Sequence, residues 1–521
     1  MKRWVAVFFL SLFFLALVVS PSKATSTEEE IKALKAQVQM LLKRIEELEK
    51  KQAQEKALKS ETSRCRAYWK NGFRIEYKEP GKNREYRFRF RTGIQLRYTY
   101  LSRDEDIKNG NENYSSFTMR RLRFYVDGTA PNRDWKYYVH VQLEPKSAVN
   151  VHDAFVIWQK YKEFRVQFGR MKIPGLDMEY WQSGFMQNGT DRTIFTSDGE
   201  NYWPYDGGTH YLTTGGHLKD NGFPIGGMLN YRSQGILLNG YLDMFQKKQF
   251  LCYWFGLYNG RDTQGSKNTH SDDMLYSFRI GINWLPGSDP RGPMGPMTFH
   301  NYTMQGDYGY NTTPALATIF SGFWTKDRRT VYYDGYNFDG YNQGEEKTGF
   351  PHDIENYGFD FTILFRYLGF SMDAEWAWEE FIQNPDQSVA SVPQETWDRW
   401  AMRLNLGYFF VPRKWEAVFK YAYFVRLIGN NPYNSLASGL GLVKLADGKY
   451  GVEKYMQQFI LGLNYYFHGF NQYITFDVSL LQRKIDAADA SEATLVGMTP
   501  DQFESQFEND WRFRVMFQQF F

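Results

Sequence analysis

Polar and apolar residues alternate along much of the chain. In EYRFRFRTGIQLRYTY (85–100) the even positions are mostly aromatic or aliphatic, and the odd positions are mostly arginine, glutamine or threonine. A period of two places successive side chains on opposite faces of a β-strand. The same alternation recurs in RRLRFYV (120–126), WKYYVHVQL (135–143) and over 357–366 and 370–379. These segments are predicted to be two-faced strands.

The connections between the predicted strands fall into two classes. Tight turns are predicted near Pro131, Leu368, Arg413 and Gly469. The long polar connections are 101–115, 174–209, 261–273, 335–354, 382–396 and 428–452. Short turns at one rim and long loops at the other are typical of transmembrane barrels. We therefore predict an all-β fold, a transmembrane antiparallel barrel of about 16 strands, with 18 as the alternative.

Composition agrees with a barrel that contacts lipid outside and water inside. Aromatic residues make up 18% of the chain, yet the mean hydropathy is −0.57. A net charge of +3 is too small to indicate nucleic-acid binding. The two cysteines, Cys65 and Cys252, have no metal-ligand spacing, and no metal or cofactor is expected.

The N-terminal region predicts three segments ahead of the barrel. Residues 1–24 have a basic start, an apolar core and small residues at its end, which is typical of a signal peptide. Residues 25–60 carry heptads with apolar a and d positions, which predict a coiled coil. Residues 61–83 are interpreted as a linker, and 84–521 as the barrel. The heptad positions are Ile31, Leu34, Val38, Leu41, Ile45 and Leu48.

Several segments resemble one known family. They are FRVQFGRMKIPGL (164–176), FGLYNGRD (255–262), RLNLGYFFVPRKWEAVFKYAYF (403–424) and LGLNYYFHG (461–469). The order of parts and the aromatic C-terminus, WRFRVMFQQFF, are also similar to that family, the phosphate-selective porins O and P. The resemblance implies a 16-stranded, trimeric outer-membrane porin whose third long loop folds inward. That loop would be 174–209 here.

Arginines on the predicted water-facing side suggest passive diffusion with anion selection. Guanidinium groups offer paired N–H donors to phosphate oxygens, and a charged lining selects ions in a pore. Lys172 precedes the expected constriction loop. Pairing of these arginines with acidic residues such as Asp127 and Glu144 across strands is an equally open interpretation. The candidate pore-lining residues are Arg87, Arg89, Arg91, Arg97, Arg121, Arg123, Arg165 and Lys172.

Other functions remain open to different degrees. A general or sugar-type porin is the main alternative, since aromatic residues such as Tyr180 and Trp181 lie in the expected constriction loop. A structural tether to the cell wall through the coiled coil is a possible added role. An enzyme is not expected, because none of the eight histidines lies in a catalytic motif. The expected partners are small anions or other hydrophilic solutes, outer-membrane lipid and two further copies in a homotrimer. The expected location is the outer membrane, with the coiled coil in the periplasm.

Overall fold

The computed structural model describes most of the chain after residue 26. The described ranges are 27–62, 65–79, 84–102, 113–143, 149–175, 178–196, 232–259, 274–287, 301–331, 350–385, 395–425, 442–444, 449–487 and 499–521. The predicted signal peptide, 1–24, lies outside these ranges. The chain divides into two compact units, one ending at Arg66 and one beginning at Ala67.

The N-terminal unit contains one long helix, α1, over Thr27–Thr62. Its predicted a and d side chains are exposed; Leu34 and Leu41, for example, keep 65% and 63% of their surface accessible. The ion pair Arg44–Glu47, at 3.6 Å, lies along its surface. The helix is therefore present where the heptads predict it, and the coiled coil stays a prediction. Within the described residues, no helix combines the length and apolar character needed to cross a membrane.

The chain after α1 is built from β-strands. The strands are β1 Cys65–Trp69, β2 Phe73–Lys78, β3 Glu85–Ser102, β4 Tyr114–Thr129, β5 Trp135–Gln142, β6 Asn150–Trp158, β7 Arg165–Lys172, β8 Arg232–Met244, β9 Lys247–Asn259, β10 Met274–Pro286, β11 Ala315–Val331, β12 Phe350–Tyr367, β13 Phe370–Pro385, β14 Glu395–Val411, β15 Trp415–Val425, β16 Leu442–Lys444, β17 Tyr450–Tyr466, β18 Gln472–Asp486 and β19 Gln506–Phe520. A short helix, α2, covers Met178–Trp181. Short 3-10 turns lie at Asn301–Thr303 and Pro500–Gln502.

The strands close into a 16-stranded antiparallel barrel. Sixteen is the smaller of the two strand numbers that the sequence predicted. Each strand from β3 to β15 pairs with the next, β15 pairs with β17, and β19 returns to pair with β3. The register at the closure places Trp511 opposite Ser102 and Phe520 opposite Gly93. Closure satisfies the backbone donors and acceptors that an open sheet edge would leave in lipid.

Strands β1 and β2 lie within residues 61–83, the segment interpreted as a linker from the sequence. β2 pairs with the first half of β3, from Phe73 opposite Phe90 to Lys78 opposite Glu85. The second half of β3 pairs with β19. Residues 73–78 therefore cover the length of β3 that extends beyond the C-terminal strand. Their alternation, FRIEYK, is a strand pattern too short to stand out in a basic region.

Burial alternates along the strands with the polarity that the sequence predicts for a membrane barrel. In β12 the polar side chains of Asp360 and Thr362 are buried inside, whereas the rings of Phe359 and Phe361 point outward and are exposed. The outward rings contact each other across strands; Phe320 and Phe359 stack at 5.9 Å. An apolar outer face and a polar inner face suit strands that have lipid on one side and a lumen on the other.

One rim of the barrel carries short turns and the other carries the long connections. The turn between β12 and β13 is formed by Leu368 and Gly369, which both have positive φ, as a two-residue hairpin turn of this type requires. We call this end the short-turn rim and the opposite end the long-loop rim. One connection departs from the predicted arrangement. Residues 287–314, between β10 and β11, are long and leave from the short-turn rim.

Candidate functional site

The connection after β7 folds into the lumen. Residues 178–196 lie inside the barrel, and most of their side chains are buried, including those of Glu179, Asp191 and Phe195. The predicted constriction loop was 174–209, of which 176–177 and 197–209 lie outside the described residues. We call residues 173–175 and 178–196 the inward loop.

Apolar contacts fix the start of the inward loop. Met178 and Trp181 of α2 pack in a cluster that includes Leu237 and Trp254 on β8 and β9. The rings of Trp181 and Trp254 meet edge to face at 6.1 Å. The inner face of the barrel is thus apolar where α2 docks, which removes these rings from water and anchors the loop.

Polar contacts fix the rest of the loop against β13–β18. The Gln182 side-chain amide donates to Asp373 at 2.8 Å, and the Ile194 N–H donates to the Gln458 side chain at 2.9 Å. Inside the loop, Glu179 accepts from the Thr193 N–H at 3.1 Å. Because these polar groups are buried, each hydrogen bond that holds the loop also avoids an unsatisfied group.

Asp191, near the C-terminal end of the inward loop, forms ion pairs with three arginines. Its carboxylate accepts from Arg97 at 2.9 Å and from Arg121 at 2.8 Å, and Arg120 donates to it as well. Burial alone would raise the pKa of Asp191, but the positive charges of Arg120, Arg121 and Arg97 lower that pKa well below its ordinary value. Two predicted pore-lining residues, Arg97 and Arg121, are therefore lumenal anchors for the loop.

Three other predicted residues lie close to the short-turn rim on β3. Arg89 and Arg91 both pair with Asp127 of β4, at 2.7 and 3.0 Å, and Arg87 pairs with Glu85 at 2.6 Å. Their side chains are partly exposed. The cross-strand pairing that the sequence left open is present here, with two arginines to one aspartate.

The remaining predicted residues lie on β4 and β7. Arg165 covers the Tyr241 ring, with its guanidinium carbon 4.3 Å from the ring centre. Arg123 donates to the Gln142 side chain at 2.8 Å. The Lys172 ammonium donates to the carbonyl oxygens of Tyr180 and Trp181, at 2.7 and 3.0 Å. Lys172 thus closes the C-terminal end of α2, where carbonyl oxygens are left without helical partners.

Three cations surround the Tyr180 ring, and a fourth lies nearby. Lys172, Arg192 and Arg232 lie 5.0, 4.7 and 5.3 Å from its centre, and Arg123 lies within electrostatic range of all three. We call these four residues the basic cluster. Asp153 is the carboxylate that the structure places against it, accepting from Arg232 at 3.0 Å and from His140 at 2.8 Å.

The sequence predicted two members of the basic cluster and missed two. Arg192 lies in the irregular inward loop, and Arg232 follows a long connection, so neither belonged to an extended alternating segment. Asp191 was missed for the same reason. The alternation identifies which face of a strand is polar, but it says nothing about which side chains a folded loop brings against that face.

Away from β3–β8, several lumenal cations are paired one to one with carboxylates. Arg366 pairs with Asp373 at 2.6 Å, and Arg514 pairs with Asp477 at 2.7 Å. Arg403 likewise pairs with Glu375. Among the described residues, the excess positive charge of the lumen therefore lies on the side of β3–β8.

The closed barrel with its polar interior has the fold of porin-type outer-membrane channels. The family model described as phosphate-selective porin O and P matches residues 88–178, which confirms the family resemblance. This stretch includes seven of the eight predicted pore-lining residues, all but Arg87. Family and fold point to a channel rather than an enzyme.

Solved outer-membrane proteins of similar size share low sequence identity with the chain. The trimer form of OmpT of Vibrio cholerae is 12% identical, with 84% of this chain and 99% of that chain covered and a TM-score of 0.45. An anion-selective porin from Comamonas acidovorans is 9% identical, with 84% and 100% covered and a TM-score of 0.45. The channel DcaP of Acinetobacter baumannii is 12% identical, with 85% and 99% covered and a TM-score of 0.42. No curated protein sequence matches the chain.

Proposed function

We propose that this porin lets small hydrophilic solutes diffuse across the outer membrane and prefers anions, with phosphate as the favoured class. The observation that supports the preference most strongly is the basic cluster. Lys172, Arg123, Arg192 and Arg232 converge at the inward loop with Asp153 as their described carboxylate neighbour. A net positive site at a constriction attracts anions and replaces part of their hydration shell with N–H donors.

We call the lumenal arginines of β3–β8 the basic wall, which extends from the short-turn rim toward the basic cluster. Arg89 and Arg91 share Asp127, so this group also has more positive than negative charge. An anion moving along β3–β8 would therefore meet positive charge both at the rim and at the inward loop. Arginine suits phosphate because its planar fork can donate to two oxygens together.

The sugar-type alternative has less support at the aromatic residues of the inward loop. Tyr180 has cations around its ring and Trp181 packs against Trp254, so neither offers an open stacking face. Tyr202, Trp203 and Tyr205 lie outside the described residues.

The decisive test is the reversal potential of the purified channel in a planar bilayer under a KCl gradient, followed by addition of phosphate. We expect chloride selectivity and a phosphate-dependent block of the chloride current. The double variant Arg123→Gln, Arg192→Gln removes two cluster charges, and it should move the reversal potential toward the cation side and weaken the block.

The matched control is Arg133→Gln, which removes an arginine exposed at a short turn and paired with Glu85. It should leave the reversal potential and the phosphate block unchanged. Cation preference in the wild-type channel would contradict the proposal. Anion preference without phosphate block would leave a general anion porin in place of a phosphate-preferring one.

We also propose that three copies assemble and that α1 forms a periplasmic coiled coil after removal of residues 1–24. The exposed a and d side chains of α1 support this, because an apolar stripe at heptad spacing gains stability by packing against further copies of itself. Contact of this coiled coil with the cell wall would add a tethering role.

A further inference from the structure

Residues 301–311 belong to the long connection that leaves from the short-turn rim, and they too lie inside the barrel. Asn301, Tyr302, Gln305 and Asp307 are almost fully buried. The inward loop enters after β7, which ends at the long-loop rim, so the two segments approach each other from opposite ends of the lumen. We call residues 301–311 the lower segment.

The lower segment is fixed to the barrel wall at several points. Asp307 accepts from the Gly369 N–H at 2.8 Å and from the Asn311 side chain at 2.6 Å. Tyr308 packs against a buried aromatic group, with ring centres 5.4 Å from Tyr466 and 6.0 Å from Phe409. These contacts lie on β12–β17, which is the charge-balanced side of the lumen.

Gly306 shows how closely the lower segment approaches the wall. Its φ of +77° favours glycine, and a Cβ atom there would lie 2.5 Å from a carboxylate oxygen of Glu416 on β15. The backbone therefore lies directly against the Glu416 side chain. A gap wide enough for solute is absent at this point.

The two inward segments bind each other inside the lumen. The Ser183 N–H donates to the Thr303 carbonyl at 2.9 Å, and the Gln305 N–H donates to the Met186 carbonyl at 2.8 Å. The Gln182 side-chain amide also donates to the Tyr302 carbonyl at 3.2 Å. The inward loop therefore rests on the lower segment as well as on the wall.

Gln305 makes most of the side-chain contacts at this junction. Its amide nitrogen donates to the Gln182 side chain at 2.8 Å. Its amide oxygen accepts from the Asn188 N–H at 3.2 Å and from the Lys420 ammonium at 3.1 Å. One buried side chain thus joins two points of the inward loop to β15.

We propose that the lower segment holds the constriction in place and closes the β12–β17 side of the lumen, with Gln305 as the positioning residue. Solute is then confined to the basic wall on β3–β8. This consequence rests on the proposed anion porin, whereas the support of the inward loop by the lower segment does not.

A cross-linking experiment tests the support without reference to transport. In full-length protein with Cys65→Ser and Cys252→Ala, the pair Ser183→Cys, Thr303→Cys is treated with a short bismaleimide and analysed by mass spectrometry after proteolysis. We expect an intramolecular cross-link between the two segments. The pair Ser183→Cys, Thr313→Cys, with its second thiol at an exposed position of the same connection, should give none. Absence of the first cross-link in folded protein whose thiols remain reactive would overturn the proposal.

The positioning role is tested by conductance of Gln305→Ala in planar bilayers. We expect a larger single-channel conductance and a reversal potential closer to zero than in the wild type, because solute gains a path past the charge-balanced wall. Gln305→Glu keeps an acceptor for Asn188 and Lys420. Its conductance and reversal potential should lie between those of Gln305→Ala and the wild type. Thr313→Ala is the control and should match the wild type.

Two outcomes distinguish failure of this proposal from failure of the proposed anion-porin function. Wild-type anion selectivity with unchanged behaviour of Gln305→Ala would overturn the role of Gln305 alone. A wild-type channel without anion selectivity would overturn the proposed function, and the cross-link would still decide whether the lower segment supports the inward loop.

Discussion

Asp191 shows how a single residue changes the meaning of the arginines around it. Arg97 and Arg121 have the strand positions expected of an anion path, but both donate to this one carboxylate. The guanidinium groups of Arg123 and Arg192 have no carboxylate within their described hydrogen bonds and contribute excess charge instead. The distinction between an anchoring and a solute-attracting arginine is therefore set by the acidic partner.

Replacing Asp191 with asparagine should release the end of the inward loop. Loss of one partner of a buried ion pair costs about 3–5 kcal/mol, because the remaining charge is left uncompensated. We expect a lower denaturant midpoint for the folded barrel and a less uniform single-channel conductance. Urea titration followed by tryptophan fluorescence, together with bilayer recording, measures both.

The control for this substitution is Asp243→Asn, which breaks the exposed pair with Lys162 at a short turn. Exposed pairs contribute little to stability, so this variant should behave like the wild type. Equal behaviour of the two variants would mean that Asp191 does not anchor the loop.

At the scale of elements, periodicity gave the right answer for long segments and failed for short or irregular ones. The heptads predicted α1, and alternation predicted β3, observed over Glu85–Ser102. β2 was assigned to a linker because six residues give too few repeats to separate a strand from a mixed polar stretch. The lower segment was missed because it has no repeating pattern and lies at the rim where short turns are the rule.

The apolar stripe of α1 leads to a prediction about assembly. Asparagine at its d positions should reduce the number of protomers in the purified full-length protein, because polar groups at this seam weaken packing between helices. Native mass spectrometry or light scattering in detergent measures the change. The substituted d positions are Leu34, Leu41 and Leu48.

The matched control places asparagine on the opposite face of the same helix. These positions face away from the predicted seam, so assembly should be unchanged. If both triple variants keep the wild-type mass, the barrel and not α1 determines assembly. The control positions are Ala36, Lys43 and Lys50.

At the scale of the whole molecule, the barrel has its apolar surface outside and its polar surface inside. Phe361 on β12 represents the outer surface, and its neighbour Thr362 represents the inner one. The usual rule of an apolar interior is reversed because hydrocarbon surrounds the strands. Polar side chains on β12–β18, such as Asp373 and Gln458, are nevertheless buried where the inward loop binds them.

The substitution Phe361→Arg tests this orientation. An arginine facing the middle of the bilayer costs about 2–4 kcal/mol in a transmembrane barrel. We expect a smaller folded fraction in lipid vesicles, measured by the mobility shift between folded and heated samples. Phe361→Leu keeps an apolar group there and should fold like the wild type. Equal folding of both variants would indicate that this face of β12 does not contact hydrocarbon.

The sequence by itself determined the class of fold, the polarity of each strand face and the helix ahead of the barrel. These properties follow from periods of two and of seven residues, which are local and can be read from neighbouring positions. The same alternation predicted the candidate pore-lining arginines, and their role in anion selection stays a prediction. The tertiary structure decided which of those arginines are anchors, since Asp191 reaches Arg97 and Arg121 only after the inward loop has folded back. It also brought Gln305 to Asn188, residues from two connections that enter from opposite rims. Such contacts join positions far apart in the chain, so no local periodicity of the sequence can predict them.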